Sequence, residues 1–259
     1  MLFDTHAHLD SDQFNDQRDA VVQRAKAAGL VGMMTIGTTA ASSRRACDLA
    51  AEYPGYVYAA VGIQPNYVGE VEADDWQTIE ELAGFPGVRA IGETGLDQYW
   101  DDTPLVEQID YFQRHIELSQ KVGLPFIVHM RESCPAIIDT LRPYAAKGSL
   151  AGVMHSFTGD WDQAKQLLDF GLHISFAGML TFKKSQDLRG VAAQVPEDRL
   201  LIETDAPYLS PEPLRGKRPN EPARVAHTLK CLAEVRGKSV ESMAEITTHN
   251  ARRFLALPE

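Results

Sequence analysis

A (β/α)₈ barrel is the fold this sequence predicts, on three observations. Eight short runs rich in Val, Ile, Phe, Met or Ala alternate with longer stretches of helical periodicity. The runs are not strictly alternating in polarity, which suits parallel strands covered on both faces. The rhythm fills 259 residues without a low-complexity linker or a composition break, the usual size of one such barrel, and residues 1–259 are read as a single domain. An open doubly wound sheet is the competing architecture, but the first run leads into "THAHLD" and not into a glycine-rich dinucleotide turn.

In order, strands are expected at 2–5, 31–36 ("VGMMTI"), 57–62 ("VYAAVG"), 88–92 ("VRAIG"), 125–129 ("PFIVH"), 151–155 ("AGVMH"), 173–177 ("HISFA") and 200–204 ("LLIET"). Helices are expected near 16–28, 40–53, 75–83, 107–122, 132–146, 160–170, 184–194 and 222–236, with two short helices finishing the chain. The clearest is 107–122, where Leu105, Ile109, Phe112 and Ile116 recur at three- and four-residue intervals and Lys121 and Gly123 supply an ending.

Composition narrows the function without choosing it. With 25 Lys and Arg against 36 Asp and Glu, the chain carries a formal net charge of −11. That argues against loose electrostatic binding of nucleic acid, and confines phosphate contact to a site where cations and a few basic residues meet. Cys47, Cys134 and Cys231 lie far apart in no zinc-binding spacing, so reduced thiols are expected. No apolar run approaches the roughly 20 residues that span a bilayer, and no signal-peptide pattern opens the chain. A soluble, cytoplasmic protein is expected, with no membrane contact and no obligate protein partner.

The chemistry-bearing residues gather at one recurring place. In "FDTHAHLD", His6 and His8 project to the same side if the backbone stays extended. Alone, the pair suits one metal ion and hydrogen-bonded strand-end histidines equally. Glu93 follows "VRAIG", His129 ends "PFIVH", His155 ends "AGVMH" and Asp205 follows "LLIET", each at the C-terminal end of an expected strand. Those ends converge on one mouth of a barrel, so ligands remote in sequence become neighbours. Four histidines with two carboxylates suit a hydrolytic metal site, since imidazoles bind borderline metals and carboxylates bridge cations or accept protons. No metal role is expected of His115, His227 and His249, in helical patterns, or of His173, which begins a strand away from the mouth. Cys134 reads as a helix residue and not a nucleophile.

With "FDTHAHLD", "AIGETGLD", "FIVHMRES", "GVMHSFTG", "LLIETDAPYL" and "RPNEP" in this order over essentially the full length, the chain resembles the TatD family of metal-dependent deoxyribonucleases, within the wider amidohydrolase-like barrels. The resemblance implies two divalent metal ions: His6 and His8 at one with Asp205, Glu93 between the two, and His129 and His155 at the other. It implies Mg²⁺ as the working metal, while a histidine-rich donor set also accepts Zn²⁺ or Mn²⁺. The expected activity is phosphodiester hydrolysis with DNA as substrate, in the manner of an exonuclease working from 3′ ends. Asp205 would then be both ligand and general base, and Glu93 would hold the ions at working separation. A related hydrolase of a small amide, lactone or phosphoester is the alternative. Glu93 stands where barrels that bridge metals through a modified lysine carry that lysine, which weighs against them. A metal-binding protein without turnover is a third class, and the six intact ligand positions weigh against it.

Other residues carry an expectation with a plainer reading beside it. Arg131, in the family's histidine-x-arginine pattern, has a planar fork suited to phosphate, or makes a surface ion pair. Ser156 can donate to a phosphate oxygen, and Asn220, beside Glu221 in "RPNEP", contacts substrate or shapes the loop over the site. Glu203 tunes Asp205, orients water or forms a salt bridge; Asp97 hydrogen-bonds a ligand histidine or caps a loop. Asp205 has the alternative of a helix N-cap before Ala206 and Pro207. Tyr99 and Trp100 stack on a base or pack a loop, and "RGKRP" at 215–219 with Lys183 and Lys184 offers local positive charge or solvated loops. Many family members have histidine where Gln64 stands in "VGIQPN", and often another at Asn66. Glutamine hydrogen-bonds phosphate or sugar but is no acid or base near neutral pH, so if the family's histidine assists catalysis, slower turnover or another substrate is expected.

Overall fold

Runs of β-branched and aromatic residues become eight parallel strands in the computed structural model, which describes residues 1–258. They are β1 (Leu2–Ala7), β2 (Leu30–Ile36), β3 (Val57–Val61), β4 (Val88–Asp97), β5 (Phe126–Arg131), β6 (Gly152–Met154), β7 (His173–Phe176) and β8 (Leu200–Ile202), paired in chain order. The crossovers carry α1 (Arg18–Ala27), α2 (Ala40–Glu52), α3 (Asp75–Leu82), α4 (Leu105–Val122), α5 (Cys134–Ala145), α6 (Trp161–Asp169) and α7 (Gln186–Ala192); α8 (Val225–Arg236) and α9 (Val240–Phe254) follow. This is the expected (β/α)₈ barrel. Gly123 ends α4 in the left-handed conformation, at φ 72°, as its position after Lys121 suggests. Among the described residues no helix is long and apolar enough to cross a membrane.

The seam between the first and last strands nearly closes the barrel. Ala7 bridges Ala206 in parallel. Thr5 Oγ1 donates to Ile202 O (3.0 Å), Asp205 N to His6 O (2.9 Å) and His8 N to Ala206 O (2.7 Å). Closing the barrel and bringing His6, His8 and Asp205 together are therefore one event.

One apolar cluster takes Phe3, Met34, Ile36, Ala60, Ala90, Ile127, Val153 and Leu201 from seven strands, with Ala251 and Leu255 from the α9 end. Side chains drawn from that many strands meet only inside the barrel. Strand alternation then explains three of the site residues, because His129, His155 and Asp205 keep the parity of Ile127, Val153 and Leu201. His6 and Glu93 break parity with Phe3 and Ala90. The pairing register slips between Asp4 and Ala7 and again between Ile91 and Thr94, and these irregularities turn both side chains inward. Gly95 lets β4 pass close beneath His129: its φ is +127°, and a Cβ there would meet the His129 carbonyl oxygen at 2.3 Å.

Two expectations about elements are corrected. β4 and β5 extend to Asp97 and Arg131, so Glu93 and His129 lie within strands and not at their ends. The chain finishes in one 15-residue helix instead of two short ones. Its polar middle is buried and satisfied: Thr247 Oγ1 donates to Met243 O, Thr248 Oγ1 to Met1 O, and Asn250 Nδ2 to Glu197 O and Leu200 O.

His115 is a core residue, as its helical setting suggests. Its Nδ1 donates to Tyr111 O (2.6 Å) and its Nε2 accepts from Ile63 N (3.0 Å), so the neutral ring is fully used. Burial pushes it down to about 4. A depressed histidine contributes stability above its unfolded pKa and loses it as pH falls through the folded value. Between pH 6.5 and about 4, His115 should cost the fold up to ~3 kcal/mol. Melting temperature should fall between pH 7 and 5 in the wild type and fall less in His115→Gln; equal slopes would rule out a neutral buried ring.

Candidate metal centre

Glu93 stands at the centre of the histidines, and its two oxygens face different pairs. Oε2 lies 3.4 Å from His6 Nε2 and 3.7 Å from His8 Nε2, while Oε1 lies 2.7 Å from His129 Nδ1 and 3.1 Å from His155 Nε2. Asp205 Oδ1 completes the first group at 3.8 Å from His6 Nε2 and 3.5 Å from His8 Nε2, and those two nitrogens are 3.3 Å apart. Ligands around a tetrahedral ion with bonds of ~2.0–2.2 Å stand roughly 3.3–3.6 Å apart. The spacing of this group fits a cation. His6, His8 and Glu93 form one possible ligand group, and Glu93, His129 and His155 another.

The outer nitrogens support the same reading. His8 Nδ1 donates to Ile36 O (3.0 Å), His129 Nε2 to Asp97 Oδ2 (3.0 Å) and His155 Nδ1 to Glu203 Oε1 (3.2 Å). Each bond leaves the opposite nitrogen facing Glu93, where it would offer a lone pair to a cation once its proton is displaced, the arrangement that metal-binding histidines need. His6 packs face to face on His155 with centroids 4.0 Å apart, and its Nδ1 is buried without a partner.

Without a cation the cluster holds protons instead. Burial would lower His8, but its hydrogen bond to Asp205 and the nearby carboxylate charges raise it to about 9. Burial likewise opposes charge on His155 and His129, and Glu93 with Glu203, and Asp97 with Glu93, raise them. Against burial, His155 and the surrounding imidazole hydrogen bonds hold Glu93 well below the usual carboxylate range. Asp205 is lowered too, by His8, His6 and His155 against burial.

The chain that builds this centre at the mouth of an eight-stranded barrel is similar to known proteins over nearly its whole length. The family model described as TatD related DNase matches residues 3–256. The chain belongs to this TatD-related family. It is 38% identical, over 99% of its length and 100% of the relative's, to an uncharacterized metal-dependent hydrolase, YabD, of Bacillus subtilis. It is 35% identical, over 99% and 100%, to the 3′-5′ ssDNA/RNA exonuclease TatD of Erwinia billingiae. The crystal structure of YJJV, a TatD homolog from Escherichia coli K12, superposes with a TM-score of 0.91 at 27% identity, covering 99% of this chain and 98% of that one. As a member of this family, the chain is a metal-dependent hydrolase.

Around the TatD-type centre, the remaining expected residues fall into distinct places. Glu203 faces away from Asp205, because Ser156 N (2.7 Å) and Ser175 Oγ (2.5 Å) donate to it besides His155; it orients His155. Asp97 does both things expected of it. Oδ2 accepts from His129 and from Asn66 Nδ2, Oδ1 accepts from Tyr99 N and Trp100 N, and against burial these bonds hold it down at about 2. No helix follows Asp205, so it is no N-cap. Both Asp205 (φ 54°) and Ser156 (φ 44°) adopt the left-handed backbone region, rare outside glycine and concentrated at functional sites.

Asn220 is fully buried, with its amide spent on Thr204 O and Glu221 N, so it holds the loop and does not reach substrate. Gln64 Oε1 accepts from Asn66 N and caps its own turn. Arg131 forms no ion pair among the described residues; it stacks over Tyr99 at 3.8 Å. Burial pushes the Cys134 thiol up to about 12, which removes it as a nucleophile. Asp4 is a residue the sequence reading passed over. Fully buried, it accepts from Thr204 N, Thr204 Oγ1 and His6 N, and burial lifts it to about 8 against those donors. An aspartate inside the apolar opening "LFDT" was the available signal.

Proposed function

We propose that the chain hydrolyses phosphodiester bonds at the ends of single-stranded nucleic acid, DNA above all, with two divalent cations as cofactors. The observation that carries this reading is Glu93, whose two oxygens each address a separate histidine pair, as a bridging carboxylate requires. The name of the Erwinia billingiae relative supports an exonuclease acting from the 3′ end.

Bound cations would supply Lewis acidity toward the phosphate and acidify a water. Asp205 is anionic and backs onto His6 and His8, so it is the group that accepts a proton from the attacking water. Asp97, Glu203 and the Ile36 carbonyl hold His129, His155 and His8 in the orientation that leaves a free nitrogen toward Glu93. Arg131, with an unpaired guanidinium at the mouth, and Ser156, next to His155 in the chain, would donate to phosphate oxygens. Mg²⁺, Mn²⁺ and Zn²⁺ all suit some of these donors, nitrogen-rich ligation favouring the latter two.

The test is a panel. Metal-loaded protein is incubated with end-labelled single-stranded DNA, the matching RNA, and small amide, lactone and phosphate esters, with and without chelator. Chelator-sensitive shortening of DNA from its 3′ end is expected. Turnover of the small esters alone would replace the nuclease reading with a small-molecule hydrolase.

A further inference from the structure

Aromatic side chains are normally buried, since each removes a large apolar area from water. Among the described residues only four are exposed, and all lie on mouth loops: Tyr67 after β3, Tyr99 and Trp100 after β4, and Tyr208 after β8, at 41%, 50%, 48% and 54%. An apolar patch concentrated beside a catalytic centre marks a ligand surface.

The patch has a built geometry. Tyr99 and Trp100 meet edge to face with centroids 4.8 Å apart. The Arg131 guanidinium lies over both rings, 3.8 Å from the Tyr99 centroid and 5.4 Å from that of Trp100. Their position is tied to the metal centre through one side chain: Asp97 takes the Tyr99 and Trp100 backbone N–H groups on one oxygen and His129 on the other. Across the mouth the Tyr208 ring stands 6.1 Å from that of His8, so the second aromatic group borders the other histidine pair.

We propose that Tyr99, Trp100 and Arg131 form a stacking shelf for unpaired nucleobases beside the scissile phosphate, with Tyr208 bordering the opposite side. The proposal rests on the nucleic-acid reading above and deepens it. Every base offers a π-face to an aromatic ring or a guanidinium plane, whereas bases inside a duplex are already stacked on one another. Arg131 stacks through its face and leaves its edge donors for phosphate, a free cation in a chain of net charge −11. The shelf therefore selects single-stranded or frayed ends, and does so without sequence preference.

The experiment pairs a change in the protein with a change in the substrate. kcat/KM is measured for a single-stranded DNA and for the same strand with abasic residues at its last nucleotides, using wild type, Tyr99→Leu/Trp100→Leu and Tyr99→Phe/Trp100→Phe. Wild type should favour the intact strand by about 10–100-fold for each stacked base, mostly through KM. The leucine variant should lose that preference and the phenylalanine variant keep it. Titrating metal-free protein with oligonucleotide should quench tryptophan fluorescence in wild type and far less in Trp100→Leu. A leucine variant impaired equally on both strands, or a wild type indifferent to the missing bases, would overturn the shelf. Turnover of neither strand under any of the three metals would instead overturn the nuclease reading itself.

Discussion

Asp205→Asn should lower kcat by about 10²–10⁴-fold while leaving metal content nearly intact. Asparagine keeps the shape and one ligating oxygen but cannot take a proton. Asp205 is fixed by its own N–H bond to His6 O and sits with Oδ1 3.5 Å from His8 Nε2, so little rearrangement is open to the variant. Because its neighbours hold the carboxylate low, it is a weak base, matched to an acidified water and not to a bulk one. Asp205→Ala should lose activity and also bind metal less tightly, since the oxygen facing His6 and His8 is gone. Activity on single-stranded DNA is measured at matched metal occupancy. If Asp205→Asn retains activity within about threefold of wild type, proton acceptance belongs to another group.

Much of the barrel is legible because a strand covered on both faces is uniformly apolar, and eight such runs leave few other arrangements. What escapes is local irregularity. From Phe3 and Ala90, simple alternation would turn His6 and Glu93 out of the barrel, and only the register slips at Asp4–Ala7 and Ile91–Thr94 reverse this. Gly92, at φ +136° inside the second slip, is a mark of it in the sequence, whereas no residue type announces the first. The length of β4 is hidden for a related reason: "ETGLD" has Thr94 as its one strong strand former, and pairing with β5 from Thr94 to Asp97 imposes the extended form.

At the site, the six residues singled out as ligands do converge, because barrel topology gathers the strands' C-terminal halves at one mouth and the two register slips turn His6 and Glu93 toward it. The partners of those residues are harder to read. Glu203 shares parity with Asp205 but its carboxylate turns to His155 and Ser175, a choice made by β7. Arg131 offers a guanidinium whose setting depends on two aromatic rings from another strand's loop. Asn220 sits in a motif that looks chemical, yet it is consumed by backbone groups across the β8 loop.

Cation loading and proton release should be coupled, and Glu93→Gln should break the coupling. His8, raised to about 9, and His155, raised well above the ordinary imidazole value, are the groups from which a cation entering the cluster displaces a proton at neutral pH. Affinity for Mn²⁺ or Zn²⁺ should therefore rise with pH by up to tenfold per unit for each proton displaced. Calorimetry in buffers of different ionisation heat counts the protons. Stability of the metal-free protein should move the other way. The raised His8 contributes stability that is complete below pH 6.5 and is lost as pH climbs through about 9, whereas the lowered Glu93 and Asp205 contribute above the ordinary carboxylate range and lose it in acid. Added metal should thus raise the melting temperature more at pH 9 than at pH 6.5. Glutamine at 93 removes the one charge that all four histidines face, so His129 and His155 keep only Asp97 and Glu203 to favour their protonated forms, and one of the two cation groups meets an amide nitrogen in place of an oxygen. Metal affinity should drop by at least roughly 100-fold, the upper end of what loss of a mere outer partner costs, and proton release should fall with it. Equal metal content in Glu93→Gln and wild type after equilibration at micromolar metal would mean that Glu93 is not shared between cations.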